Sequence, residues 1–164
     1  MFERFGDLPL HVLVIHLAVV LLPVSALTGI VFALVPKWRW LLRWPVLLLG
    51  LGSALVAWVA KESGEAFEDA IPPLQPVVAL HQERGELLVW FTLVFAVVTI
   101  LAFLWLSGPS ALASRRGART PRSRPLELVV SAAVVVVGVL VIVQTIRTGD
   151  AGATAVWTGQ LPPK

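Results

Sequence analysis

The sequence predicts an all-α fold: a polytopic membrane protein in which four transmembrane helices pack as an up-down bundle. Three observations carry this expectation. Hydrophobic residues make up 57% of the 164 residues and charged residues only 14%, where a soluble domain is about a quarter charged. The mean hydropathy is +0.86. Four apolar runs each approach the roughly 20 residues that a helix needs to cross the hydrocarbon core. A backbone in lipid must satisfy its own hydrogen bonds, so each run is expected to be helical.

The first run, Leu8 to Val35, contains no Asp, Glu, Lys or Arg. It is too long for the h-region of a signal peptide, and the residues before it are not basic. It is therefore expected to stay in the protein as the first helix. Pro9 fits its first turn, and Pro23 should free the carbonyl of Val19 and kink it. The second run, Leu41 to Ala60, carries one charge, Arg43, near its start. The third helix is expected over residues 78–106 and the fourth over 126–147. The fourth is rich in valine but far too long for a strand. Between them, Ser107 to Pro125 is rich in Ser, Gly, Pro and Arg and reads as a flexible loop. Residues 148–164 read as a short tail. The whole chain, 1–164, reads as one transmembrane domain without internal repeats.

Orientation follows from the loops. Eight basic residues flank one side, Lys37, Arg39 and Arg43 in the first loop and Arg115, Arg116, Arg119, Arg122 and Arg124 in the third. The other side holds five, together with all the acidic residues except Glu127. The positive-inside rule puts the basic loops in the cytoplasm and both termini outside, in a bacterial cytoplasmic (inner) membrane. Trp38, Trp40, Trp44 and Trp105 fall at the expected inner interface, Trp58 and Trp90 near the outer one, as aromatic belts do.

The basic balance, with a pI near 10.2, is spent beside the spans and is not a nucleic-acid signal. The absence of cysteine excludes disulfides and thiolate metal sites. Gly50, Ala54, Ala57 and Gly64 form a small-residue stripe on the second helix, suited to close helix approach. Gly50-Leu51-Gly52 sits in mid-span and is no nucleotide loop. No Ser-His-Asp pattern, no carboxylate pair within a span and no phosphate loop is present, so enzyme chemistry without a cofactor has little support.

The three histidines are more informative. His11 and His16 lie on the first helix and His81 near the start of the third. Ionisable groups in spans are rare and mark function by default. The second helix ends in Lys61-Glu62-Ser63-Gly64-Glu65, the fourth in Arg147-Thr148-Gly149-Asp150, so imidazoles and carboxylates come to one depth. Bundles build metal and cofactor sites in this way, from facing helices. His11 and His16 are five residues apart, about 140° around a helix, so they share a face poorly, and one ion could take both only if the helix end is irregular, as Pro9 allows. The simpler arrangement has His16 facing the bundle and His11 at its mouth. His16 and His81 are then the expected cofactor ligands; the alternative is that the histidines only hydrogen-bond neighbouring helices or meet lipid headgroups. His11, Glu65 and Asp150 complete the metal candidates, as further ligands or as partners that orient an imidazole.

Three segments carry a family resemblance: Leu8-Pro9-Leu10-His11-Val12-Leu13-Val14-Ile15-His16 with Leu22-Pro23; Glu62-Ser63-Gly64-Glu65 with His81-Gln82-Glu83-Arg84-Gly85-Glu86; and Arg147 through Trp157. Together they resemble the uncharacterised bacterial four-helix membrane family known as domain of unknown function 2231, in its actinobacterial style. The chain departs from the family's usual look at Val12, where relatives often carry proline, and at Asp150, where many carry histidine. Some family members are joined to Rieske-type iron–sulfur domains, which implies a redox setting. The expected function is metal or haem binding at the outer end of the bundle, in electron transfer or metal handling, with haem b or a Zn, Cu or Fe ion as cofactor. The alternative is a non-catalytic subunit or scaffold of a larger respiratory-type complex, packing through the small-residue stripe. The expected partners are the lipid bilayer, a redox or membrane-complex protein, and a second copy of the chain; nucleic acid is not among them.

Overall fold

The computed structural model describes residues 4–6, 8–71, 75–109 and 123–158. A short antiparallel ribbon opens the chain, β1 (Arg4–Phe5) against β2 (Leu8–Pro9), turning at Gly6, whose φ of 62° is easy for glycine. Four long helices follow: α1 (Leu10–Leu34), α2 (Arg39–Ala70), α3 (Gln75–Trp105) and α4 (Arg124–Trp157). All four are long and apolar enough to span a membrane, so the protein is an all-α membrane bundle. Pro36 ends α1, because the residue before a proline is pushed out of the helical region; Val35 has φ −119° and ψ 80°. A 3-10 turn, Pro36–Trp38, leads into α2. Ser123 caps α4 by accepting from the Leu126 amide at 3.5 Å, and Glu127 sits in the first turn, where the helix dipole favours a negative charge.

Each helix packs on its sequence neighbours, and α4 closes the ring against α1. That leaves α1 and α3 on a diagonal. Leu22, Phe32, Val46, Phe95, Val134 and Val141 are buried along the axis. Glycines let the helices come close. A methyl on Gly29 would meet Phe95 Cζ at 2.9 Å, and one on Gly138 would meet Ile30 Cγ1 at 3.2 Å. Gly50 lies under Thr99, where a methyl would sit 3.1 Å from Thr99 Cβ. Ala54 and Ala57 are buried inside the same bundle, and Gly64 faces His11. The small-residue stripe is therefore used up within the chain. The scaffold alternative had rested on that stripe as a free docking face, and it loses this support.

Two boundaries differ from the sequence expectation. α2 runs ten residues past Ala60, and α4 runs ten past residue 147, so much of the expected tail is helix. Hydropathy marks where lipid ends, which need not be where a helix ends. α2 is about 48 Å long and α4 about 51 Å, at 1.5 Å per residue over their 32 and 34 residues. The hydrocarbon core accounts for only about 30 Å of this. Lys61 and Glu65, an i,i+4 pair at 2.6 Å, help to hold the extension of α2. The loop expected from Ser107 to Pro125 lies outside the described residues over 110–122.

The two ends of the bundle differ in chemistry. The arginine end is tied by Arg39, only 6% exposed. Its guanidinium donates to the carbonyls of Phe32 at 3.0 Å and Ala33 at 2.9 Å, at the end of α1, and to Ser107 at 2.9 Å, just beyond α3. It also pairs with Glu127 of α4 at 3.6 Å. One side chain of α2 thus engages groups at the ends of the other three helices. Arg43 lies over the Phe103 ring, 4.4 Å from its centre, and donates to the Phe103 carbonyl. The sequence reading took these arginines only as topology signals.

Candidate functional site

The other end carries the histidines. His11 opens α1, one residue after Leu10, and its ring lies over α2. Its Nδ1–H donates to the Ala60 carbonyl at 3.0 Å, with Ser63 Oγ at 3.4 Å; the Ser63 hydroxyl donates to the same carbonyl at 3.1 Å. His81 on α3 does the same toward α4: its Nδ1–H donates to the Thr148 carbonyl at 2.9 Å. A carbonyl can only accept, so each bond assigns the proton of a neutral imidazole to Nδ1 and leaves Nε2 with its lone pair. No hydrogen bond to either Nε2 is found among the described residues.

Each ring is seated against a glycine. A methyl on Gly64 would lie 3.0 Å from His11 Cε1 and 3.2 Å from its Nδ1; a methyl on Gly152 would lie 3.0 Å from both Cε1 and Nδ1 of His81. A Cβ at either place would press on the ring. Phe67, on the helical extension of α2, stacks on His11 at 6.5 Å with planes 15° apart. The two imidazoles then meet across the diagonal, ring centres 6.3 Å apart and planes at 78°. α1 and α3 otherwise touch little. The pair sits at the mouth of the bundle axis, level with the first charged residues past the apolar runs, Lys61 on α2 and Arg147 on α4.

The structure thus joins His81 to His11, where the sequence reading had joined it to His16. His16 is exposed on the outside of α1, on a face with the exposed Leu13, Leu17 and Val20, and its Nδ1 meets the Val12 carbonyl of its own helix at 2.5 Å. The 140° between the two histidines lets one face the axis, and the one that does is His11. The carboxylates are engaged elsewhere. Glu65 pairs with Lys61 at 2.6 Å. Asp150, 76% exposed, faces Arg84 at 4.0 Å. Among the described residues no group of three His, Asp or Glu comes together that could hold a metal ion.

The sequence reading missed the supports. Arg84 donates to the Arg147 carbonyl at 2.8 Å, while Gln144 and Thr148 donate to the Arg84 carbonyl at 2.8 and 3.1 Å. This seam holds α3 and α4 in register beside His81. The signal for it was a glutamine near the end of an otherwise apolar helix.

The chain belongs to the family described as predicted membrane protein (DUF2231), whose model matches residues 7–162. No curated protein and no solved structure matches it.

Proposed function

We propose that this family member handles a transition-metal ion at its histidine end, held between His11 and His81 in the outer leaflet region of a bacterial cytoplasmic membrane. The observation that carries this reading is the pair itself: two imidazoles from opposite helices, each with Nδ1 fixed to a backbone carbonyl and Nε2 left as a donor, 6.3 Å apart. A hydrogen bond on one nitrogen is how proteins orient an imidazole for metal through the other. Neutral imidazole suits zinc, copper and iron alike. With Glu65 and Asp150 paired to cations, the donor set stops at two, and any remaining coordination would come from water or an incoming ligand. Such an open site favours uptake and release over permanent retention. The level of the site, beside Lys61 and Arg147, favours exchange with the aqueous side. The same two nitrogens could be axial ligands of a haem, which the spectrum decides.

The test is metal analysis and an absorption spectrum of the purified full-length protein, with His11→Ala, His81→Ala and His16→Ala alongside. One ion per chain is expected, lost in the first two variants and kept in the third. At a hundredfold excess over the dissociation constant, the ion should stabilise the bundle by about 2.7 kcal/mol. A Soret band would replace the ion by haem. Absence of both metal and haem, or metal that depends on His16 alone, would overturn the reading.

A further inference from the structure

We propose that the ion is monovalent copper, bound by two imidazoles in a nearly linear arrangement. This rests on the metal-site reading above and narrows it to one ion. Two observations support the choice.

The first is distance. With an ion-to-nitrogen bond of about 2.0 Å and roughly 1.2 Å more from nitrogen to ring centre, two imidazoles on one ion have centres about 6.4 Å apart when collinear and about 5.2 Å when tetrahedral. The rings of His11 and His81 are 6.3 Å apart. That is the spacing a collinear pair would have with both Nε2 atoms turned to the ion, and each ring is held where it is by a carbonyl and a glycine notch rather than by its partner.

The second is donor count. Zinc in a structural site takes four protein ligands and in a catalytic site three. The described residues offer no third His, Asp or Glu to the pair. A closed-shell monovalent ion is content with two nitrogen donors, because its low charge and filled d shell demand neither a high coordination number nor a fixed geometry. The absence of a carboxylate also suits it, since an anionic oxygen would favour a harder, divalent ion.

The 78° between the ring planes is compatible with this, since a linear N–ion–N unit leaves rotation about its axis unconstrained. No redox step is implied: the ion arrives and leaves as copper(I).

The experiment supplies copper(I) as its acetonitrile complex, without oxygen, to the full chain in detergent against a chromophoric copper(I) chelator, and measures zinc(II) binding by equilibrium dialysis. One copper(I) per chain, at least a thousandfold tighter than zinc, is expected. X-ray absorption should show two nitrogen neighbours and no more. His11→Asn and His81→Asn keep a side-chain N–H for the Ala60 and Thr148 carbonyls but remove the Nε2 donor. Each should weaken copper(I) at least a hundredfold while leaving the thermal midpoint of the metal-free protein close to that of the parent. Tighter zinc through the same two histidines, or copper with three or four donors, would overturn the copper(I) assignment and leave the metal site standing. If neither ion binds, both readings fall together.

Discussion

Gly149 and Gly152 allow the seating of His81 to be measured. They lie three residues apart in the interior of α4, so replacing either by alanine gains the same intrinsic helix propensity, about 1 kcal/mol. Their surroundings differ. A methyl on Gly149 meets nothing within 4 Å, whereas a methyl on Gly152 comes to 3.0 Å from both Cε1 and Nδ1 of His81. The ring cannot move freely, because its Nδ1–H is bonded to the Thr148 carbonyl at 2.9 Å and its other side meets His11. Overpacking of this kind costs about 1–3 kcal/mol, and a strained or broken hydrogen bond adds about 0.5–1.5 kcal/mol. Gly149→Ala should therefore be neutral to stabilising by up to about 1 kcal/mol, and Gly152→Ala destabilising by about 0.5–3.5 kcal/mol after the same gain. Thermal unfolding in one detergent, followed by helical circular dichroism, reads the difference as an ordering of midpoints. If Gly152→Ala is as stable as Gly149→Ala, the notch does not hold the ring, and the argument for a fixed Nε2 on His81 fails with it.

Three further outcomes are expected. Gly50→Ala should cost about 1–3 kcal/mol through its collision with buried Thr99, while Gly85→Ala, with nothing within 4 Å, should not; the same thermal assay compares them. Arg39→Ala should cost about 3–5 kcal/mol, because it leaves three carbonyls unpaired at once and Glu127 with the Ser107 amide in place of its cation, and limited proteolysis near the arginine end should speed up. In a chain without native cysteine, Ser114→Cys should react with a membrane-impermeant thiol reagent only after the cells are opened, and Thr158→Cys should react in intact cells; the reverse pattern would invert the bundle in the membrane.

The spans were legible because hydropathy reports lipid directly, and four uncharged or nearly uncharged runs leave little else to be built from them. The helical reach of α2 to Ala70 and α4 to Trp157 was hidden for the same reason: past Lys61 and Arg147 the sequence turns polar, which says that water begins but is silent on whether the backbone still coils. The sequence placed histidines from two helices at one end of the bundle, and the structure brings His11 and His81 together there. The choice of His16 over His11 was the wrong one for facing inward, since a separation of about 140° guarantees that the two differ but not which one faces the axis. The glycines opposite them held that information. Gly64 appeared in the sequence as part of a packing stripe and Gly152 as part of a tail, and only the fold brings each under an imidazole. Glu65 and Asp150 went astray because nearness in depth is not nearness in space: each found a cation, Lys61 one turn away on its own helix and Arg84 on the helix beside it.

The tie made by Arg39 has a consequence for how the protein is made. As the chain leaves the ribosome, α1 and α2 emerge first, and Arg39 then has only the carbonyls of Phe32 and Ala33 for company. Ser107 arrives 68 residues later, and Glu127 later still. At the opposite end His81 must likewise wait for Thr148, 67 residues behind it. Both ends are therefore completed by α4, the last of these four helices to be synthesised. An insertion intermediate of three helices would carry an undersatisfied cation at one rim and an unanchored imidazole at the other. The arrival of α4 then acts as the committing event of biogenesis, and a nascent chain truncated before it should be the form that membrane quality control removes.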